Sequence, residues 1–147
     1  MVVQVPKRIE ILMVEDSPSD VLITREALRG YKLINEMHVV EDGEEAMTFL
    51  RQQGKYAKAP RPDLVLLDWN LPRKSGKEVL EEVKSDEQLK LIPVVILTSS
   101  KAEVDILRAY GLHANAYITK PVNFDSFVEM VGSIGTFWFS VVTLPTT

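Results

Sequence analysis

The chain has 147 residues, of which 46% are hydrophobic and 26% charged, so we expect one ordinary domain with a substantial core. A formal net charge of −4 gives no general attraction to nucleic acid or anionic membranes, and the lack of cysteine excludes disulfides and thiolate metal sites. The first six residues are too short for a signal peptide, and acidic residues interrupt the apolar region 124–144. These features predict a cytoplasmic protein that binds neither nucleic acid nor membrane.

Strand-like and helix-like segments alternate along the chain. Short apolar runs predict strands at 9–14, 37–40, 64–67, 93–97 and 116–118. Apolar residues at helical spacing predict helices at 17–30, 43–53, 78–85 and 101–110, with a last helix from about residue 123. The basic, proline-containing stretch 54–62 is expected to be a loop.

Five strands alternating with five helices indicate a parallel sheet with right-handed crossovers. We therefore predict one doubly wound α/β domain over residues 1–147, with a core at about 8–131 and an extension at 132–147.

In such a sheet, ligands bind beyond the carboxyl ends of the strands. The first predicted strand is followed by Glu15 and Asp16, the third by Asp68, the fourth by Thr98 and the fifth by Lys120. If the strand order is 2-1-3-4-5, the last four of these residues face one crevice.

Together these side chains suit phosphoryl chemistry. Clustered carboxylates repel one another unless a cation intervenes, and an all-oxygen set favours Mg²⁺. A lysine and a hydroxyl beside a metal and an aspartate are what a phosphoryl group needs, so Asp68 is a candidate nucleophile.

Each residue alone also has an ordinary structural interpretation. Glu15 and Asp16 would complement the dipole of the following helix, and Thr98 with its neighbouring serines would cap another. Lys120 would be a solvated loop residue before a proline whose peptide bond can be cis or trans. Only the combination favours a site.

Four segments carry a family resemblance. The chain resembles the receiver domain of two-component response regulators over about 8–131, through the segments 11–16, 63–72, 94–98 and 117–121. More narrowly, 68–74, 98–103 and 113–117 resemble the single-domain regulators paired with cyanobacterial phytochromes. The resemblance implies a flavodoxin-like fold with strand order 2-1-3-4-5.

The resemblance also implies a role for each acidic residue. Asp68 would accept phosphate from a histidine of a sensor kinase. If so, Asp68→Asn should abolish labelling by acetyl phosphate or by the kinase. Glu15 and Asp16 would hold Mg²⁺ together with Asp68 and the backbone carbonyl of Asn70. The bulky Trp69 beside the acceptor would restrict access to it.

The resemblance further implies how the signal leaves the site. Thr98 and Lys120 would grip the phosphoryl oxygens, and Tyr117 would change rotamer on activation. Because phosphorylation adds about 1.5 to 2 negative charges, a shift of Thr98 would move the following loop.

The carboxyl terminus adds the apolar run 137–144 to an already complete domain. This run either continues the last helix onto the core or leaves a large exposed apolar patch. The regulators that the chain resembles dimerise through this extension, so we expect a homodimer through the last helix and tail.

Two other functions remain open at this point. A magnesium-dependent phosphatase of the haloacid-dehalogenase type would carry an aspartate two residues after its nucleophile, where this chain has Asn70. A receiver-like binding module that never takes phosphate would not need Asp16, Asp68 and Lys120. We therefore expect a phosphoacceptor rather than an enzyme.

Overall fold

The structure is a computed structural model that describes residues 9–29, 35–109, 114–123, 125, 126 and 129. Within them, five strands alternate with four α-helices and one 3₁₀ helix. In chain order the elements are β1 (Ile9–Val14), α1 (Pro18–Arg29), β2 (Asn35–Val40), α2 (Gly43–Leu50), the 3₁₀ helix (Gly54–Tyr56), β3 (Leu64–Asp68), α3 (Gly76–Ser85), β4 (Val94–Thr98), α4 (Lys101–Ala109) and β5 (Ala116–Thr119).

The five strands form one parallel sheet in the order β2-β1-β3-β4-β5. The predicted doubly wound α/β fold and its strand order are confirmed. Every residue of β3 and β4 is buried, which explains why their sequences are almost uninterrupted runs of aliphatic residues.

Each face of the sheet carries its own apolar core. On the α1 side, the strand residues Ile11, Leu66 and Leu97 pack with Leu28 of that helix. On the other side, the alternate strand positions pack against α2, α3 and Leu107 of α4. The sheet is therefore covered on both faces, and its carboxyl edge is left for polar side chains.

The region after α2 differs from the sequence-based prediction. The helix ends at Leu50 instead of residue 53, and Gln52 has a positive φ of 54°. The connector 54–62 also contains the 3₁₀ helix, where the prediction had only a loop. The Tyr56 ring packs 5.0 Å from that of Phe49, and its hydroxyl donates to the Glu45 carboxylate. These tertiary contacts hold a turn that local sequence does not predict.

The predicted fifth helix lies mostly outside the described residues, although residues 125, 126 and 129 are helical. The extension 132–147 lies wholly outside them, so most of the expected dimer contact through the last helix and tail does too. Among the described residues, no helix is long and apolar enough to cross a membrane.

Candidate functional site

Three carboxylates meet where β1 and β3 end. One oxygen from each of Glu15, Asp16 and Asp68 lies within 4.8 Å of the others. Glu15 and Asp68 are 1% and 3% exposed, whereas Asp16 is exposed. The structure thus brings together the carboxylates that follow the first and third strands, in a half-buried cluster open on one side.

Asp68 is the last residue of β3, and its surroundings are built from backbone. The next amide, that of Trp69, donates to the Leu97 carbonyl at 3.0 Å, so the chain leaves the sheet only after the acid. The Asn70 amide donates to Asp68 Oδ1 at 3.2 Å. Gly76 approaches so closely that an added Cβ would lie 2.7 Å from the Asp68 carbonyl oxygen. The carboxylate is therefore presented from a fixed backbone.

Glu15 is held as firmly from the other side of the cluster. Its amide donates to the Val40 carbonyl at 2.9 Å, and its Oε2 accepts from the Ser17 amide at 3.3 Å. Burial, together with the proximity of Asp68 and against the hydrogen bond from Lys120, raises the pKa of Glu15 to about 7. A cation bound among these carboxylates would relieve the repulsion and lower that pKa.

Lys120 follows β5 and faces this cluster. Its Nζ lies 2.9 Å from Glu15 Oε1, 3.0 Å from Asp20 Oδ2 and 3.4 Å from Asp68 Oδ1. Burial lowers the pKa of Lys120, but the hydrogen bonds to Glu15 and Asp20 and the nearby carboxylates raise it above its ordinary value. The ammonium therefore stays charged, and its three protons have three carboxylates nearby to which they can be donated.

The backbone around Lys120 ties it to the neighbouring strand, because its amide donates to the Thr98 carbonyl at 2.7 Å. The Lys120–Pro121 peptide bond, left open by the sequence, is cis.

Asp20 is a contact of Lys120 that sequence reasoning did not identify. It lies in the first turn of α1, where its amide donates to the Ser17 hydroxyl at 3.3 Å, as expected of a helix start. An acid at that position has an ordinary explanation through the helix dipole, so nothing in the local sequence singles it out.

Thr98 ends β4 with its side chain fully buried. Its hydroxyl accepts from the Ser100 amide at 3.1 Å and lies 3.2 Å from the Ser100 carbonyl oxygen. The expected helix cap is made by Ser100, whose hydroxyl accepts from the Glu103 amide at 3.3 Å. The Thr98 hydroxyl is therefore engaged by its own loop in this structure.

Tyr117 lies on β5 opposite Ile96 and is half-buried against the core on the α2 and α3 side. It also lines a cavity of about 660 Å³, together with residues of α4 such as Lys101 and Val104. The ring thus has open space beside it.

The side chains of the β3–α3 loop have other surroundings. Trp69 is half-buried and packs against the core, and Asn70 is exposed. Arg73 Nη1 lies 3.8 Å from Asp42 Oδ2, and Lys74 Nζ lies 2.7 Å from Glu82 Oε2. Both basic residues thus pair with acids outside the carboxylate cluster.

The donor set fits a hard divalent cation. The cluster offers only carboxylate oxygens, with no described histidine among them, and such sets select Mg²⁺ or Mn²⁺ over softer metals. Because one of the three acids is exposed, a bound ion would keep contact with water.

Comparison with known families agrees with this site. Residues 11–132 match the family described as the response regulator receiver domain. Among curated proteins, the response regulator Rcp1 of Synechocystis sp. is 48% identical over 135 residues, which is 92% of this chain and 92% of that protein.

Two solved structures extend the likeness. The phosphorylated cyanobacterial phytochrome response regulator RcpA is 49% identical, with a TM-score of 0.74 over 95% of this chain and 100% of that one. The Mn²⁺-bound form of Rcp1 is 47% identical, with a TM-score of 0.72 over 94% of this chain and 99% of that one. The family match at 11–132 spans every residue of the carboxylate cluster and Lys120.

Proposed function

Because this chain belongs to the response regulator receiver family and acts as a phosphoacceptor in two-component signalling, we propose that Asp68 takes the phosphoryl group. One observation supports this assignment above the others. Asp68 is a buried carboxylate that sits 3.4 Å from an ammonium and shares a cluster with two further acids.

The transfer needs a nucleophilic oxygen and a leaving nitrogen. One Asp68 oxygen forms a bond to phosphorus while the bond between phosphorus and the donor histidine breaks. The electron pair of the broken phosphorus–nitrogen bond stays on the imidazole nitrogen. The product is an acyl phosphate on Asp68, and the imidazole takes up a proton.

We assign Glu15, Asp16, Asp68 and the Asn70 backbone carbonyl to Mg²⁺. When bound, the ion neutralises charge on the phosphoryl oxygens. The oxygen-only donor set and the Mn²⁺-bound form of the related Rcp1 support a divalent ion at this position.

Lys120 and Thr98 hold the transferred group. Lys120 offers a compact, permanently charged ammonium beside the acceptor. Thr98 reaches the phosphoryl oxygens by giving up its contact with Ser100, which moves the loop before α4. Tyr117 then changes rotamer into the space beside it.

The donor is a histidine kinase, as in other receiver domains, and we propose a kinase of the phytochrome type. Support comes from the 49% identity to a regulator that is named for its phytochrome. Given its charge of −4, we expect no partnership with nucleic acid or membrane.

The assignment is tested by labelling with acetyl phosphate and Mg²⁺ in the wild type, Asp68→Asn and Asp105→Asn. Asp105 is an exposed acid on α4 and serves as the matched control. We expect one acid-labile phosphate per chain in the wild type and the control and none in Asp68→Asn. Undiminished labelling of Asp68→Asn would contradict the assignment.

We further propose that the chain is not a phosphatase. Residue 70, where such an enzyme carries its acid/base, is an exposed asparagine, and only its backbone amide donates to Asp68. Repeated turnover of a generic phosphate ester, with an amount of product far above that of protein, would overturn this proposal.

Dimer formation remains a proposal from the sequence of 132–147. A truncation after Gly135 removes the apolar run 137–144 and is expected to give a monomer in light scattering. An unchanged oligomer would refute a role of the tail.

A further inference from the structure

Lys120 forms a close ion pair with Asp20, a residue that the phosphoryl transfer itself does not require. Of its three carboxylate contacts, the two shortest are with Glu15 at 2.9 Å and Asp20 at 3.0 Å. The contact with Asp68, the proposed acceptor, is the longest at 3.4 Å. The ammonium is therefore held nearer to the α1 side of the cluster than to the acceptor.

Asp20 is well placed to hold it there. Its backbone is fixed at both ends of the first turn of α1, because its amide donates to Ser17 Oγ at 3.3 Å and its carbonyl accepts from Thr24 Oγ1 at 2.8 Å. The amino end of the helix favours its negative charge. Its side chain is 30% exposed, against 16% for Lys120, so it can give up the contact and be rehydrated.

We propose that Asp20 is a positioning residue that competes with the phosphoryl group for the Lys120 ammonium, an inference that rests on the function proposed above. A phosphoryl group on Asp68 brings new anionic oxygens near Lys120, whose ammonium lies 3.4 Å from the Asp68 carboxylate. Asp20 draws the ammonium away from them and partly neutralises its charge. The acid thereby sets how strongly the site holds its phosphoryl group.

The test titrates beryllofluoride, a phosphoryl mimic, at saturating Mg²⁺ into the wild type, Asp20→Asn and Glu44→Gln. Glu44 is an exposed acid in the first turn of α2 and is the matched loss of one charge. We expect Asp20→Asn to bind about fivefold more tightly, the effect of one partly exposed ion pair. Glu44→Gln should match the wild type. Equal or weaker binding by Asp20→Asn overturns the inference.

A double variant asks whether the effect acts through Lys120. If it does, Asp20→Asn adds little in a Lys120→Met background, whereas a general charge effect persists there in full and contradicts the inference. If Lys120→Met binds no beryllofluoride, the ¹⁵N resonance of the Lys120 ammonium is measured instead, in the variants that retain Lys120. It must move in Asp20→Asn and stay in Glu44→Gln before beryllofluoride is added, and an unmoved resonance overturns the inference.

Failure of this inference and failure of the proposed function are distinguishable. A wild-type protein that binds no beryllofluoride would contradict the phosphoacceptor assignment itself. A wild-type protein that binds it, with an Asp20→Asn variant of equal affinity, would leave that assignment intact and remove only the role of Asp20.

Discussion

Two half-buried lysines lie at opposite ends of the same sheet and have opposite surroundings. Lys120, at the carboxyl end, faces the carboxylates of Glu15, Asp20 and Asp68. Lys84, near the end of α3, donates instead to three neutral oxygens that precede β4 and β5. They are the carbonyl oxygens of residues 90 and 92 at 3.1 and 3.0 Å and the Asn115 side chain at 3.3 Å.

The pKa values of the two lysines respond accordingly. Burial lowers the pKa of Lys84, and no anion offsets it. Burial acts in the same direction on Lys120, but its carboxylate partners carry the pKa above the ordinary value. The charge of the partners, rather than burial, therefore decides whether the pKa of each lysine lies above or below its ordinary value.

Among substitutions at the two ends of the sheet, Lys120→Met is expected to lower the free energy of unfolding most. Removing this ammonium leaves buried carboxylates unpaired, so the free energy of unfolding should fall by about 3 kcal/mol without metal. Protonation of Glu15 limits the loss. Urea unfolding with and without Mg²⁺ measures it, and Mg²⁺ should restore part of the stability. A loss that Mg²⁺ leaves unchanged would show that the carboxylates do not share a cation site.

The crowded backbone at the carboxyl end gives the next effect. In Gly76→Ala the new Cβ would lie 2.7 Å from the Asp68 carbonyl oxygen and 2.9 Å from Trp69 Cα, which forces the backbone to move. We expect a loss of about 2 kcal/mol in urea unfolding and weaker beryllofluoride binding.

Gly54→Ala is the control for Gly76→Ala. Gly54 has a φ of +56°, and an added Cβ there would meet only Thr48 Cγ2 at 4.0 Å, so alanine strains the backbone without a clash. Its beryllofluoride affinity should equal that of the wild type. If the two alanine variants bound the mimic equally well, the Gly76 contact would have no influence on the acceptor.

At the other end of the sheet, Lys84→Met should cost about 1 kcal/mol, because methionine keeps the packing of the stem while the freed carbonyls can be hydrated. Mg²⁺ should not change this loss in urea unfolding. A loss as large as that of Lys120→Met, or one that responds to Mg²⁺, would erase the distinction between the two lysines.

The smallest effect is a trend with pH. In the unfolded chain Lys84 keeps its proton up to about pH 10.5, whereas the folded protein releases it earlier because burial lowers the pKa. The unfolded state then binds more protons in that window, so the free energy of unfolding rises with pH there. The stability difference between the wild type and Lys84→Met should therefore widen from about pH 8 to about pH 10. If this stability difference narrowed with rising pH, the pKa of Lys84 would be raised in the folded protein instead of lowered.

Sequence predicted the sheet well because buried parallel strands are almost pure aliphatic runs. It misjudged the end of α2, where Gln52 adopts a positive φ that glutamine does not suggest. It also missed the 3₁₀ helix, which depends on Tyr56 packing against Phe49. Both errors arise where tertiary contacts override local preference.

The candidate site was predictable for the same topological reason. Its carboxylates from β1 and β3, its threonine and its lysine all end or directly follow strands, and parallel strands bring their carboxyl ends to one edge. Asp20 was not predicted as part of the site, because it lies on a helix and its partner Lys120 is 100 positions away in the chain. Pairings of that kind are fixed by the packing of α1 on the sheet, which no local pattern encodes.

The ion pair between Glu15 and Lys120 joins the residues that directly follow β1 and β5, which lie 105 positions apart in the chain. During synthesis on the ribosome, the acids of the cluster therefore emerge long before the ammonium that balances them. A nascent chain that has reached only β4 carries the Asp68 carboxylate but not the Lys120 ammonium that lies beside it in the folded protein. The cluster is complete only after β5 has been synthesised and has paired with β4.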